Sequence, residues 1–137
     1  MKLITRDSEY AIRALCFIAK DEERVVSVSE LVRALKIPGP FLRKILQALH
    51  NQGILKSYKG KGGGFRLARP AVQILLIDIM TVFQGKLRLS ECIFKGLRCP
   101  QTRTCPLNKK IAKIEKFVIK ELSDISIGCL IKGEAHK

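Results

Sequence analysis

Between Tyr10 and Lys20 the apolar residues Ala11, Ala14, Leu15 and Ile18 recur at threes and fours, which predicts a first helix with one buried stripe. Asp21 to Val26 is a charged connection. Beyond it Ser27 and Glu30 stand three apart as a capping box, opening a second helix with Val28, Leu31, Val32 and Leu35 inward. Ile37-Pro38 ends that helix, and Gly39 as N-cap with Pro40 at the first helical position starts a third, running to about Gln52. Its inner face is Leu42, Ile45, Leu46 and Leu49, and Gly53 is placed to stop it in a left-handed conformation. Arg43, Lys44, Gln47, His50 and Asn51 are left for its outer face and flanks.

The period then changes. Ile54 to Tyr58 and Phe65 to Ala68 read as extended segments, separated by the Lys-Gly-Lys-Gly-Gly-Gly run from Lys59 to Gly64, so they predict a β-hairpin with a basic tip. Val72 to Gln84, with Asp78 as its single charge, predicts a buried helix or helix pair. From Lys86 to Thr104 no period is visible. Pro106 opens a long amphipathic helix whose seam runs from Leu107 through Ile111, Ile114, Val118 and Leu122 to Ile125. Ser126 to Lys137 carries little signal.

A capped helix, a short turn, a second amphipathic helix and a hairpin give the order of a winged helix-turn-helix. The fold class expected is mainly α with a small β-hairpin wing, followed by a long C-terminal dimerisation helix. Residues 1–85 form the DNA-binding domain in this reading, 86–106 a cysteine-rich cluster-binding loop, and 107–137 the dimerisation helix and tail.

Charge supports a polyanionic partner. The net charge is +14, and no Asp or Glu occurs from Leu31 to Ile77, where Lys36, Arg43, Lys44, Lys56, Lys59, Lys61, Arg66 and Arg69 all lie. Arg43, Lys44 and Gln47 are side-chain types that pair with guanine, phosphate and adenine edges, and Lys59, Lys61 and Arg66 add wing cations that position the duplex. The glycine run does not make a nucleotide-binding loop, because it lies between two strands and lacks the closing Gly-Lys-Ser/Thr. No apolar run spans a membrane, and charges interrupt the first fifteen residues, so a cytoplasmic location is expected.

In a reducing compartment, clustered cysteines are metal ligands or redox thiols rather than disulfides. Cys92, Cys99 and Cys105 are separated by six and five intervening residues, close enough for one loop to bring three thiolates to one centre. This spacing matches neither the Cys-x-x-Cys knuckle of structural zinc sites nor a common ferredoxin run. Cys16 and Cys129 read as small buried or bystander residues.

Leu31-Val-Arg-Ala-Leu-Lys-Ile-Pro38, Phe41-Leu-Arg-Lys-Ile-Leu46 and Gly60-Lys-Gly-Gly-Gly-Phe-Arg-Leu-Ala-Arg-Pro70 closely resemble a family of winged-helix regulators. That family includes the iron-sulfur cluster regulator and the nitric-oxide-sensing repressor. Tyr10-Ala-Ile-Arg-Ala-Leu15 and Ile77-Asp-Ile-Met80 resemble it too, so the likeness covers nearly the whole chain. The resemblance implies an iron-sulfur cluster, 2Fe-2S or 4Fe-4S, on Cys92, Cys99 and Cys105. It also implies a fourth, non-cysteine ligand, which in the family is either a histidine shortly after the third cysteine or an acidic residue near the start of the first helix. Asn108 stands where the histidine would be, and an amide is a poor iron ligand, so Glu9 leads as fourth ligand with Asp7 behind it. An acidic residue in a first helical turn is also favoured by the helix dipole alone. Arg43 departs from the family, whose recognition helix often carries an acidic residue there, which implies a different operator preference.

A single winged unit reads few base pairs, so a homodimer through Ile111, Ile114, Val118 and Leu122 on a palindromic operator is expected. The reading is a DNA-binding regulator, a repressor by class, controlled by a cluster that senses redox state, nitric oxide or iron-sulfur status. The alternative is a metal-free or zinc-bearing regulator switched by thiol oxidation. A small iron-sulfur electron carrier is the least supported, and with no nucleophile–base pair or nucleotide fingerprint the chain is not read as an enzyme.

Overall fold

The computed structural model describes residues 3–89 and 106–133. Helices α1 (Arg6–Ala19), α2 (Val28–Leu35) and α3 (Gly39–Asn51) are followed by a hairpin, β1 (Leu55–Tyr58) and β2 (Gly64–Leu67). A single 3-10 turn (Ala71–Gln73) leads into α4 (Leu76–Gln84), and α5 (Pro106–Ser123) and α6 (Ile127–Lys132) complete the described chain.

The apolar stripe of α1 is buried as its spacing requires, with Ala11, Ala14, Leu15 and Ile18 fully covered. They pack with Leu31 of α2, with Leu42, Ile45, Leu46 and Leu49 of α3, and with Ile54, Leu55, Phe65 and Leu67 of the hairpin. Truncating a covered leucine such as Leu15 to alanine costs about 2–5 kcal/mol, because the close-packed neighbours cannot collapse into the space.

The capping box before α2 forms by half. The Glu30 amide donates to Ser27 Oγ at 3.1 Å, but the Glu30 carboxylate turns to Arg24, whose Nη1 and Nη2 reach its two oxygens at 2.8 and 2.7 Å. That bidentate bond lowers the Glu30 pKa and raises that of Arg24. Helix α2 stops at Leu35 because Lys36 is left-handed, at φ 56°, and its amide returns to the Val32 carbonyl at 2.9 Å. Pro38, rather than Gly39, holds the N-cap of α3: it is extended, at ψ 135°, and its carbonyl accepts from the Leu42 amide at 3.0 Å.

The hairpin is antiparallel, with Lys56 opposite Arg66 and Ser57 opposite Phe65. Val26, just ahead of α2, joins its outer edge through two bonds with Phe65, at 2.9 and 2.8 Å. This close approach explains the glycine at 64. A Cβ there would lie 2.2 Å from the Val26 carbonyl oxygen, and the backbone, at φ +155°, disfavours a side chain in any case.

The segment from Val72 to Gln84 is one 3-10 turn and one helix, not a continuous helix, because Ile74 and Leu75 are extended between them. That extended pair is used. Leu75 bridges Ser126, the Leu76 amide donates to the Ile125 carbonyl, and the Ile127 amide donates to the Ile74 carbonyl, each bond 2.9 Å. The tail after α5 therefore folds back as α6, capped by Ser126 Oγ on the Cys129 amide at 3.1 Å, with Ile127 buried in the main core. A second, smaller cluster joins Leu76 and Met80 of α4 to Leu87 and Leu122. No helix among the described residues is long and apolar enough to cross a membrane.

Candidate nucleic-acid interface and metal ligands

Helix α3 buries Leu42, Ile45, Leu46 and Leu49, which forces Arg43, Lys44 and Gln47 outward. At about 100° per residue these three and Asn51 share an arc of roughly 100° on the solvent side. All four are exposed, and Gln47 Nε2 donates to Asn51 Oδ1 at 3.2 Å, which orients the amide along the helix. Arg43 reaches back toward the helix start: its Nη1 lies 3.7 Å from the position a Cβ on Gly39 would take. His50 is half-buried, with Nδ1 3.2 Å from the Leu55 carbonyl, and so ties α3 to β1 rather than facing outward.

Lys59 and Lys61 are exposed in the turn between β1 and β2. Arg66 is half-buried, and its guanidinium lies 5.6 Å from the Tyr58 ring centroid. Among the described residues the ion pairs are Arg6–Asp7 and Arg24–Glu30, so the cations of α3 and of the hairpin tip carry no acidic partner there. Uncompensated charge on an exposed helix face and an adjoining hairpin is suited to phosphate and base edges.

Cys92, Cys99 and Cys105 lie outside the described residues. Glu9 lies in the first turn of α1 and is exposed, with no bond or ion pair from its carboxylate among the described residues; Asp7 faces Arg6 at 3.7 Å. Glu9 is therefore the freer carboxylate of the two. Asn108 is half-buried in the first turn of α5. Cys16 and Cys129 are half-buried, and no group of three or more His, Cys, Asp or Glu forms a site among the described residues.

The seam of α5 divides. Leu122 is only 8% exposed, packed on Leu76, Met80 and Leu87 of its own chain, and Val118 lies at the edge of that cluster. Ile111 is half-buried, while Leu107, Ile114 and Phe117 are 65%, 53% and 62% exposed. The apolar side chains that α5 exposes are thus Leu107, Ile114 and Phe117, the last lying off the heptad seam that the sequence pattern picks out.

A family model described as "Rrf2: Iron-dependent Transcriptional regulator" matches residues 4–133. Protein aau3 of Rhizobium meliloti (strain 1021) is 33% identical over 131 residues, covering 95% of this chain and 85% of its own. The HTH-type transcriptional regulator NsrR of Geobacillus kaustophilus is 28% identical over 134 residues, covering 96% and 91%. Among solved structures, CymR (YrzC), the global cysteine regulator of B. subtilis, superimposes with a TM-score of 0.82 at 21% identity, over 97% of this chain and 98% of that one.

Proposed function

The chain belongs to the Rrf2 family of winged-helix transcriptional regulators, and on that premise we propose that it binds operator DNA as a homodimer, with an iron-sulfur cluster setting its affinity. The observation that carries the DNA reading is the exposed arc of Arg43, Lys44 and Gln47 on α3, whose cations have no acidic partner among the described residues and which runs directly into the basic hairpin. Helix α3 enters the major groove and specifies; Lys59, Lys61 and Arg66 hold phosphates beside it. Pairing of two chains through the exposed N-terminal part of α5, with Ile111 and Ile114, doubles the reading surface.

The donor chemistry fits an iron-sulfur cluster: three thiolates close together in the sequence, and an exposed carboxylate at Glu9 that has no bond or ion pair among the described residues. The cluster would supply a redox- and nitric-oxide-reactive centre. Cys92, Cys99 and Cys105 would hold it, and Glu9 would tie it to α1, against which α3 packs in the core. The family description, iron-dependent, supports this reading. The second reading, thiol oxidation without a metal, draws on the same three cysteines, whose spacing matches neither a structural zinc knuckle nor a common ferredoxin run.

Anaerobically purified protein tests the cluster through iron, acid-labile sulfide and visible absorption, with the three cysteines changed singly to serine. Iron and sulfide in stoichiometric amount, lost in each variant, support it. Protein that resists reconstitution while its thiols react freely contradicts it. Selection of bound duplexes from a random pool, followed by Arg43→Gln/Lys44→Gln, tests the DNA face: the double variant should lose specific binding while melting like the parent.

A further inference from the structure

The start of α1 stands beside the start of α3. The Arg6 guanidinium lies 4.9 Å from the centroid of the Phe41 ring, and Phe41, in the first turn of α3, is 44% exposed. Arg43 Nη1 reaches back to the same turn, at Gly39. Two guanidinium groups from two different helices therefore flank the end of α3 whose residues meet the bases when such a helix docks.

The backbone that carries Arg6 is firmly held. Thr5 caps α1 by accepting from the Ser8 amide. Gln84, the last residue of α4, accepts from the Thr5 amide at 3.1 Å and the Ser8 hydroxyl at 2.7 Å, and donates to the Leu3 carbonyl at 3.0 Å. Arg6 is thus fixed at its Cα by α4 and over its guanidinium by an aromatic face. Asp7 Oδ1 lies 3.7 Å from Arg6 Nε, beyond hydrogen-bond distance, with both side chains more than half exposed, so the guanidinium keeps its donors for another acceptor.

We propose that Arg6 is a further DNA contact, binding a backbone phosphate at the edge of the groove that α3 enters. This rests on α3 being the reading helix. A planar fork displaced from the reading helix and facing the duplex flank matches a phosphate in chemistry and position. Because a phosphate is common to every sequence, Arg6 adds affinity without selectivity.

The test uses the full chain and measures binding by fluorescence anisotropy between 50 and 200 mM salt, on a selected duplex and on an unrelated one. One lost phosphate contact lowers the slope of log K against log salt by about 0.9, which at 0.15 M corresponds to about a five-fold loss of affinity. Arg6→Gln should show both effects equally on the two duplexes, and Arg6→Lys should recover the slope. Thermal melting of the free variants shows whether the fold is intact. If Arg6→Gln leaves affinity and slope unchanged while Arg43→Gln/Lys44→Gln weakens binding, Arg6 is not a contact and the reading of α3 stands. If neither variant changes binding, the reading of α3 fails along with it. A loss confined to the selected duplex, with the slope unchanged, also overturns the phosphate assignment.

Discussion

Replacing Gly128 with alanine sets two known effects against each other. In an isolated helix the change is favourable by about 1 kcal/mol, since alanine restricts the unfolded chain and favours the helix. Here the new Cβ would lie 2.7 Å from Val72 Cγ1 and 3.1 Å from both the Cα and N of Val72. The valine side chain is exposed and can rotate away, but its backbone belongs to the turn at Ala71–Gln73, and Ala71 within that turn is buried and bonded to Glu22. Overpacking against a backbone that cannot yield costs about 1–3 kcal/mol. The balance is a net loss of about 0–2 kcal/mol, so the melting temperature is unchanged or lower by a few degrees. Val72→Ala alone should be nearly silent, and in the Gly128→Ala background it should recover only the share due to the Cγ1 contact. Urea and thermal denaturation of the four proteins read this directly. A higher melting temperature for Gly128→Ala would mean that α6 is not seated on this turn, and would refute the account of the tail as part of the core.

Other consequences follow from the same geometry. Gln84→Ala should cost about 2 kcal/mol, because the buried Ser8 hydroxyl and the Thr5 amide lose their acceptor. Its effect should overlap that of Ser8→Ala in a double-mutant cycle, and strict additivity would exclude the clamp. Lys36→Gly should stabilise by a few tenths to about 1 kcal/mol in urea melts, since the left-handed conformation at 36 strains any residue with a Cβ. Burial raises the Cys16 thiol pKa, with Lys20 opposing it, so the folded state favours the protonated thiol. Alkylation of Cys16 should therefore reach half its maximal rate above the ordinary thiol range, and stability should fall as pH rises through that raised value. An alkylation profile identical to that of the unfolded chain would contradict this.

Much of the fold was legible because its signals are local. Ser27, Gly53 and the glycine run each act on their own backbone, and the stripes of α1 and α3 need only helical spacing to declare which side is buried. The outward set Arg43, Lys44 and Gln47 followed from that spacing. What was not legible depends on partners distant in sequence. Helix α6 has only six residues and no period to detect, although Ser126 and Gly133 are the cap residues that could have marked it. Leu122 reads as a seam residue from its spacing, yet it is taken by α4, which no pattern in α5 can report. Arg6 belongs to no motif in the sequence, and only the crossing of α1 and α3 brings it over Phe41.

In the proposed function, the face formed by α3 and the hairpin binds a specific duplex under the control of a cluster on Cys92, Cys99, Cys105 and Glu9. Titration of the selected duplex with one anaerobic preparation, before and after removal of iron and sulfide, tests it most directly. Specific binding should change about ten-fold or more with cluster loss and be abolished by Arg43→Gln/Lys44→Gln in both states. Equal affinity in the two states would contradict the cluster's role, and specific binding that survives the double variant would contradict the assignment of the face.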